Sequence, residues 1–256
     1  MKVATWNVNS IRTRLERTLR WLEKEAPDVL CLQELKTRDE TFPFEPLSQA
    51  GYHAAVYGQK AYNGVAILSR SEAQEVERGF GDGVDDPQAR FISARVQGLR
   101  VISVYVPNGS EVGSEKYAYK LGWMRRLVDY LERSRDRSEE MLLCGDFNVA
   151  PDDSDVAQPE QWKESVLCHP EMRAALQRIF DWGLVDSFRQ HHPQGGIYTW
   201  WDYRNLGFPR NDGLRIDHIL ATETLSRRCV SAAVDRDERK GKQPSDHAPL
   251  HITLAD

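Results

Sequence analysis

Short apolar runs that alternate with helical patterns constrain the fold of this chain most strongly. The runs with the length and composition of β-strands are KVATWN, VLCLQE, GVAILS, RFISARV, LRVISVYVP, EEMLLCGDFN, LRIDHILA and APLHITL. Helical patterns fall between them, at SIRTRLERTLRWLEKEAPD, SEKYAYKLGWMRRLVDYLERSRD and PEMRAALQRIFDWG. Because strand–helix repeats are mixed with hairpins, we predict two mixed β-sheets sandwiched between helices, rather than one parallel sheet.

Local signals refine these elements. The first helix is predicted to begin at Ser10, as N-cap, and to be closed by Pro27. A QG turn separates RFISARV from LRVISVYVP and predicts a hairpin. The stretches 79–88 and 150–160 are rich in Gly, Pro and Asp and are predicted to be surface loops. The second helix is predicted to pack through Tyr117, Leu121, Met124, Val128 and Leu131.

Length and composition exclude several classes. With 256 residues the chain can bury a sizeable core, as one large domain or two small ones. It has no run of eighteen apolar residues and no secretory signal, and its four cysteines show no C-x-x-C pairing. We therefore expect a reduced, cytoplasmic protein. The net charge of −5 argues weakly against a nucleic-acid partner, unless the acidic residues are concentrated at one site.

Polar side chains terminate most of the predicted strands. They are Asn7, Asn9, Glu34, Tyr105, Asn108, Asp146, Asn148, Asp217, Asp246 and His247. Each taken alone has an ordinary explanation, such as a helix cap, an Asx turn or a hydrogen-bonded histidine. Core packing does not explain why so many strand ends carry acids, amides and a histidine. In layered folds, binding sites lie preferentially at strand ends and in the loops after them. The set therefore predicts a functional site.

The chemistry of this set is that of an oxygen-ligand metal site. The carboxylates of Glu34, Asp146 and Asp246 and the amide oxygens of Asn7 and Asn148 suit Mg²⁺, with Mn²⁺ as a substitute. Carboxylates crowded together repel one another, and a divalent cation removes that repulsion. Four acids are assigned to the site: Glu34, Asp146, Asp217 and Asp246. Without their charges, the net charge of −5 becomes about −1 for the rest of the chain, so the total charge is compatible with a phosphate ester as substrate.

The motifs WNVNS, LQELK, YVPNG, GDFNVAP, YTWWDYR, LRIDHIL and SDHAPL resemble the exonuclease III family of abasic-site endonucleases, in the endonuclease/exonuclease/phosphatase superfamily. The similarity runs in unbroken order from residue 2 to about residue 253. It implies one domain over 1–256, folded as a four-layer, deoxyribonuclease I-like sandwich with its site at one edge of the two sheets. It also implies a monomeric, Mg²⁺-dependent DNA-repair enzyme. Such an enzyme cleaves double-stranded DNA 5′ to an abasic site, acts as a 3′–5′ exonuclease and trims blocked 3′ ends.

The resemblance assigns the catalytic roles. Asp146 would orient or deprotonate the attacking water, and Asn148 would hold that nucleophile or stabilise the transition state. Asp217 would pair with His247 and direct the imidazole at the scissile phosphate, which Tyr105 would contact. Which of Asp146, Tyr105 and His247 takes the proton of the water stays open. The implied metal ligands, with Glu34 as the principal one, are Asn7, Glu34, Asp146, Asn148, Asp246 and His247.

The stretch IYTWWDYR suggests how substrate is recognised. Strand alternation would place Trp200 and Trp201 on opposite faces, so both cannot be buried in one layer. By resemblance, Trp200, Leu214 and Ile216 would line a small apolar pocket for a flipped-out abasic sugar; the alternative is ordinary core packing. Further contacts to the DNA backbone are expected from Asn108, Arg90, Lys36, Arg204 and Arg210. Taken singly, each of these cations is better explained as a solvated surface charge.

Two other functions share parts of this pattern. A phosphatase or sphingomyelinase-type phosphodiesterase would also carry GDFN and SDH, but TWWDYR favours the DNA-repair branch. A non-catalytic nucleic-acid-binding regulator would have replaced some of the residues Glu34, Asp146, Asn148, Asp217 and His247, and all of them are present.

Overall fold

A computed structural model describes residues 1–204 and 206–255. Its strands are β1 (Lys2–Asn7), β2 (Val29–Gln33), β3 (His53–Tyr57), β4 (Val65–Ser69), β5 (Gln74–Arg78), β6 (Phe91–Val96), β7 (Leu99–Tyr105), β8 (Met141–Asp146), β9 (Leu184–Asp186), β10 (Asp217–Thr222), β11 (Cys229–Val234) and β12 (Leu250–Leu254). Its α-helices are α1 (Leu15–Glu25), α2 (Phe44–Gln49), α3 (Glu115–Ser134), α4 (Pro159–Trp162), α5 (Pro170–Asp181), α6 (Ser187–His191), α7 (Gly207–Arg210) and α8 (Glu223–Ser226).

The strands form two six-stranded mixed sheets, as predicted. The first has the order β11-β12-β1-β2-β4-β3 and the second has the order β5-β6-β7-β8-β10-β9. Each sheet contains one parallel pair near its centre, β1 with β2 and β7 with β8, and the remaining pairs are antiparallel. The predicted hairpin joins β6 to β7 through Gln97 and Gly98, both at positive φ.

Three apolar clusters divide the molecule into four layers. Strand residues from both sheets, including Cys31 and Cys144, meet in the cluster between the sheets. The opposite face of the first sheet packs against α1, where Trp21 and Leu22 are buried. The opposite face of the second sheet packs against α3 and α5. Successive residues of a strand point to opposite faces, so a strand covered on both faces is largely apolar. The wholly buried strands β2 and β4 have this composition, apart from their last residues, Gln33 and Ser69.

Two predictions about local structure were wrong. Helix α1 begins at Leu15, with Arg14 as its N-cap, instead of at Ser10. The backbone amide of Ser10 donates to Glu34 O and that of Ile11 to Leu35 O, so this segment is tied to the loop after β2 before the helix starts. The stretch 150–160 is more than a surface loop, since Asp155 within it is fully buried against Arg215.

Helix α3 also differs from its predicted packing. Tyr117, Met124 and Leu131 are buried as expected, but Leu121 and Val128 lie at the margin of the cluster. The strongly buried face instead includes Lys120, a charged residue with no exposed surface. Within 1–204 and 206–255, no helix combines the length and hydropathy needed to cross a bilayer.

Candidate active site

The carboxyl ends of the two parallel strand pairs meet at one edge of the sandwich. Asn7 ends β1, Tyr105 ends β7 and Asp146 ends β8, while Glu34 follows β2 directly. Asp217 opens β10 and lies opposite Asp146 in the antiparallel register. Because parallel neighbours end at the same edge, residues far apart in sequence share this site.

Asp146 lies at the centre of the site and is 1% exposed. One of its oxygens accepts a hydrogen bond of 2.9 Å from Asn7 Nδ2, across the gap between the sheets. The other accepts the backbone amide of Asn148 at 2.9 Å. Burial, reinforced by the negative charge of Asp217 and opposed by His247, raises the pKa of Asp146 to about 7. The pKa of Asp146 is therefore close to neutral pH, which is the range that suits a general base.

His247 is held between two aspartates. Its Nδ1 lies 2.8 Å from Asp217 Oδ2 and its Nε2 lies 3.6 Å from Asp146 Oδ2. Burial by itself lowers the pKa of His247, but the charges of Asp217 and Asp146 overcome it and raise the pKa to about 10. The imidazole is thus protonated at neutral pH and directs two N–H groups at carboxylates. The hydroxyl of Thr199 fixes this arrangement by accepting the backbone amides of Ile216 and Asp217, both at 3.1 Å.

Glu34 lies beside Asp146 and shares a hydrogen-bond donor with it. Asn7 Nδ2 donates to Glu34 Oε1 at 2.9 Å as well as to Asp146. The other Glu34 oxygen lies 2.9 Å from Lys36 Nζ, and that ammonium also donates to Asn9 Oδ1 at 2.6 Å. The Glu34 side chain remains partly accessible, so it can still receive a ligand.

Asp246 joins the site from the loop before β12. Its oxygens accept hydrogen bonds from Asn9 Nδ2 at 2.9 Å and from Trp200 Nε1 at 3.0 Å. Burial favours the neutral acid, but His247 and these two donors hold the pKa of Asp246 below its ordinary value. Asp246 is therefore ionised at neutral pH.

Tyr105 and Arg90 border the site on the side of β7. Burial, together with the charges of Glu34 and Asp146, raises the pKa of Tyr105 well above its ordinary value, so its hydroxyl is a proton donor. Arg90 lies over the Tyr105 ring at 4.6 Å and donates to Tyr105 O at 3.1 Å and to Gln88 Oε1 at 2.8 Å. Arg90 is therefore held against Tyr105, and its predicted contact to substrate stays a prediction.

Asn108 and Asn148 form a pair next to the acidic cluster. Asn108 Nδ2 donates to Asn148 Oδ1 at 3.2 Å, and Asn148 Nδ2 donates to Val106 O at 2.9 Å. Asn108 is exposed and also forms an Asx turn with the amide of Ser110. Beneath the pair lies the ammonium of Lys120, 2.7 Å from Asn148 O. The sequence analysis did not single out Lys120. Its position three residues after Tyr117 nevertheless places it on the buried face of α3.

The aromatic stretch lies on the other side of His247. Trp200 forms isolated bridges with Leu214 and His247, so the predicted strand is reduced to single pairings. As predicted, the two tryptophans differ: Trp201 is 1% exposed, whereas Trp200 is partly exposed and packs edge-on against Trp162. Leu214 and Ile216 are brought next to Trp200 but are buried, so Trp200 alone of the predicted pocket residues has accessible surface.

Three of the expected metal ligands, Asn7, Asn148 and His247, make hydrogen bonds or ion pairs within the site. The Asn7 oxygen accepts the backbone amide of Asn9 at 3.0 Å, so Asn7 presents its nitrogen to the centre of the site. The Asn148 oxygen is likewise used, by Asn108. An amide oxygen has two lone pairs, so each of these asparagine oxygens keeps one for a cation. The assignment of Asn7, Asn148 and His247 as metal ligands stays a prediction.

The side chains expected to contact the DNA backbone differ in their exposure and in their ion pairs. Lys36 is bound to Glu34 and Asn9, and Arg204 is largely exposed and paired with Asp202. Arg210 ends α7 with an exposed side chain.

Comparison with known proteins gives the family of this chain. Residues 4–247 match the Endonuclease/Exonuclease/phosphatase family. The chain belongs to this family. It is 40% identical to Exodeoxyribonuclease III of Haemophilus influenzae, with 98% of each chain covered. It is similar in structure to an AP endonuclease from Archaeoglobus fulgidus (TM-score 0.97, 42% identity) and to the 3′-5′ exonuclease NExo from Neisseria meningitidis (TM-score 0.97, 44% identity), with full coverage of both chains in each case. The resemblance inferred from the motifs and the deoxyribonuclease I-like fold are both confirmed.

The residues of this family member also fit a hard divalent cation. Side-chain atoms of Asp146, Asp217 and His247 lie within 4.8 Å of one another, so the site contains an acidic cluster able to hold a metal. Asp217 Oδ1 is buried and receives no hydrogen bond from any residue in 1–204 or 206–255. An unsatisfied buried carboxylate oxygen is destabilising unless a cation or donor compensates it. Since the carboxylates at the site offer oxygen and no thiolate is among them, the donor chemistry is that of Mg²⁺ or Mn²⁺.

Proposed function

We propose that this chain is a Mg²⁺-dependent DNA-repair nuclease. It would cleave duplex DNA on the 5′ side of an abasic site, act as a 3′–5′ exonuclease and remove blocking groups from 3′ ends. The observation that carries the proposal is the buried Asp146–His247–Asp217 cluster, at an edge where four strand ends meet, in a chain of the Endonuclease/Exonuclease/phosphatase family. The names of its relatives support DNA as the substrate, and one similar structure is NExo from Neisseria bound to a product DNA hairpin (TM-score 0.96, 44% identity).

The metal would be held by carboxylates. We assign Glu34 and Asp246 as its main ligands, with Asp146 beside them and Asn7, Asn148 and His247 arranging the ligands around it. Mg²⁺, or Mn²⁺ in its place, would neutralise charge on the phosphate and lower the pKa of bound water. With a metal bound to Glu34, Lys36 would lose its contact with the Glu34 carboxylate, which is now 2.9 Å. It would keep its hydrogen bond to Asn9 or turn to the substrate.

The chain's own groups would carry the rest of the chemistry. Asp146, with its pKa raised to about 7, would accept the proton of the attacking water. His247, protonated and held by Asp217, would donate a hydrogen bond to a phosphate oxygen, where negative charge increases in the transition state. Tyr105 would donate through its hydroxyl, since its pKa is raised. Asn108 would contact the phosphate, and Asn148 would hold the attacking water in line.

Recognition of the lesion would fall to Trp200, supported by the buried Leu214 and Ile216. An apolar surface at the site accepts a deoxyribose without a base, and extruding such a sugar breaks no stacking. We assign Arg90 to positioning of Tyr105, and Arg204 and Arg210 to contacts with the DNA backbone. The protein would act as a monomer of one domain over 1–256.

The test is an incision assay on a duplex with one synthetic abasic site, run beside the same duplex without the lesion. Mg²⁺ should support a single cut 5′ to the lesion, and EDTA should abolish it without altering the circular dichroism spectrum. A duplex with a 3′-phosphate measures trimming in the same series. Turnover of phosphoinositides or phospholipids with no cleavage of either DNA would contradict the proposal.

A further inference from the structure

Lys120 is the one fully buried lysine in the described chain, and the mechanism above does not use it. It lies on α3 with no exposed surface, and its partners are all uncharged backbone oxygens. Nζ donates to Asn108 O at 3.1 Å, to Asn148 O at 2.7 Å and to Val166 O at 2.9 Å. An ammonium has three donors and no acceptor, so all its hydrogen-bonding capacity is used. Burial lowers the pKa of Lys120 to about 7, so keeping the proton here is unfavourable, and an apolar side chain of similar size would avoid that cost.

The three acceptors belong to three segments that are far apart in the sequence, and Lys120 contacts all three, while other hydrogen bonds link the segments only in pairs. Asn108 lies in the loop after β7, Asn148 lies in the loop after β8, and Val166 precedes α5. The loop after β7 is pressed against the lysine stem: a Cβ added to Gly109 would lie 3.0 Å from Lys120 Cδ, and Gly109 has φ +93. The hydrogen bonds of Lys120 Nζ therefore hold the loop after β7 and the loop after β8 at a fixed position relative to α3.

Both loops carry side chains that face the candidate site. Asn148 has φ +51, and its backbone amide donates to Asp146 Oδ1 at 2.9 Å. Asn108 is linked to Asn148 through their side-chain amides at 3.2 Å. A shift of either carbonyl away from Lys120 would thus move Asn108 or Asn148 relative to Asp146. Misplacing such groups by about 1 Å is enough to reduce a rate on the order of 100-fold.

We propose that Lys120 is a positioning residue, whose buried ammonium clamps the loops after β7 and β8 so that Asn108 and Asn148 are placed for the scissile phosphate and the attacking water. The inference rests on the proposed nuclease function for its catalytic consequence. The clamp itself is a statement about the loops and can be measured without DNA.

The first variant is Lys120→Met, which keeps the length of the stem and removes all three donors. Its matched control is Arg125→Met, which removes an exposed cation from the same helix. With Mg²⁺ and the abasic duplex, we expect kcat of Lys120→Met to fall on the order of 10- to 100-fold. KM should change by less than about threefold, because substrate binding is largely retained. Arg125→Met should match the parent, and parental kcat in Lys120→Met would overturn the inference.

A double-mutant cycle separates positioning from a general loss of stability. In an Asn108→Ala background, Lys120→Met should reduce kcat by clearly less than it does in the parent, because one of the groups it positions is already gone. Equal reductions in both backgrounds would contradict the clamp. If Lys120→Met does not fold, Gly109→Ala tests the inference instead. This variant keeps Lys120 but displaces the loop after β7, because its added Cβ would lie 3.0 Å from Lys120 Cδ. It should lower kcat with little change in KM, and parental kcat would again refute the inference.

The DNA-independent arm is native-state proteolysis after Glu111, which is exposed in the loop. A glutamate-specific protease should cut there on the order of tenfold faster in Lys120→Met than in the parent or in Arg125→Met. Equal rates in all three proteins would overturn the clamp. If the parent does not cut abasic DNA, the proposed function fails, while this arm still tests Lys120.

Discussion

Replacing Asp217 with asparagine would remove the carboxylate closest to His247 while keeping the shape of the side chain. The pKa of His247 is about 10, against an ordinary value of 6.5. This gap corresponds to roughly 5 kcal/mol in favour of the protonated form, at about 1.4 kcal/mol per pKa unit. Burial opposes protonation, so Asp217 and Asp146 supply this energy together, and Asp217 is the closer, at 2.8 Å against 3.6 Å. Asp217 therefore supplies the larger share of this energy, and its replacement should lower the pKa of His247.

The same change has a predicted effect on stability, with a defined sign. A histidine whose pKa is higher in the folded protein stabilises the fold fully below its unfolded pKa of about 6.5, and the contribution is lost as the pH rises through its folded pKa. For His247 that window runs from about 6.5 to about 10. Asp217→Asn should therefore lower the free energy of unfolding at pH 6, by at most roughly 5 kcal/mol, and by much less near pH 9.5, where the parental His247 has lost most of this contribution.

Two measurements check this prediction. Imidazole ¹⁵N shifts, followed by NMR in protein without added metal, give the pKa of His247 directly, with His247→Gln for assignment. Urea unfolding at the two pH values gives the stability difference. Asp202→Asn is a suitable control, because Asp202 pairs with the exposed Arg204. An unchanged pKa in Asp217→Asn, or a stability loss that is the same at both pH values, would refute the electrostatic reasoning.

Three further outcomes follow from the contacts of other residues. Arg215→Met should lower the free energy of unfolding, measured with urea, by about 3 kcal/mol, because the buried carboxylate of Asp155 keeps only Arg189 and Asp186 loses Arg215 at 2.8 Å. Gly145→Ala should prevent normal folding, seen as loss of the cooperative thermal transition, because its Cβ would lie 2.0 Å from Val104 O on the neighbouring strand; a parental melting temperature would contradict this. Trp200→Ala should reduce incision at abasic sites on the order of tenfold while changing 3′-phosphate removal less, and equal losses on both substrates would argue against its role in lesion recognition.

The strands and their ends could be predicted because their signals are local. A strand buried on both faces is largely apolar, and this marks β2 and β8 and the polar residues at or just after their ends, Glu34, Asp146 and Asn148. The start of α1 could not be predicted from Ser10, because tertiary hydrogen bonds to the loop after β2 override the local capping signal. The burial of Lys120 has the same origin: a lysine is solvated by default, and only three carbonyls from distant segments make its burial tolerable.

The sequence by itself determined which side chains are available at the strand ends and that oxygen-based chemistry should occur there, since residue type and strand periodicity are properties of neighbouring positions. Only the tertiary structure decided how those side chains are used. It directs the Asn7 nitrogen between Glu34 and Asp146, keeps His247 protonated between two aspartates, and turns Arg90 back onto Tyr105. Hydrogen-bond direction and protonation depend on which groups from remote segments face one another across a distance of about 3 Å, and no local pattern encodes that arrangement.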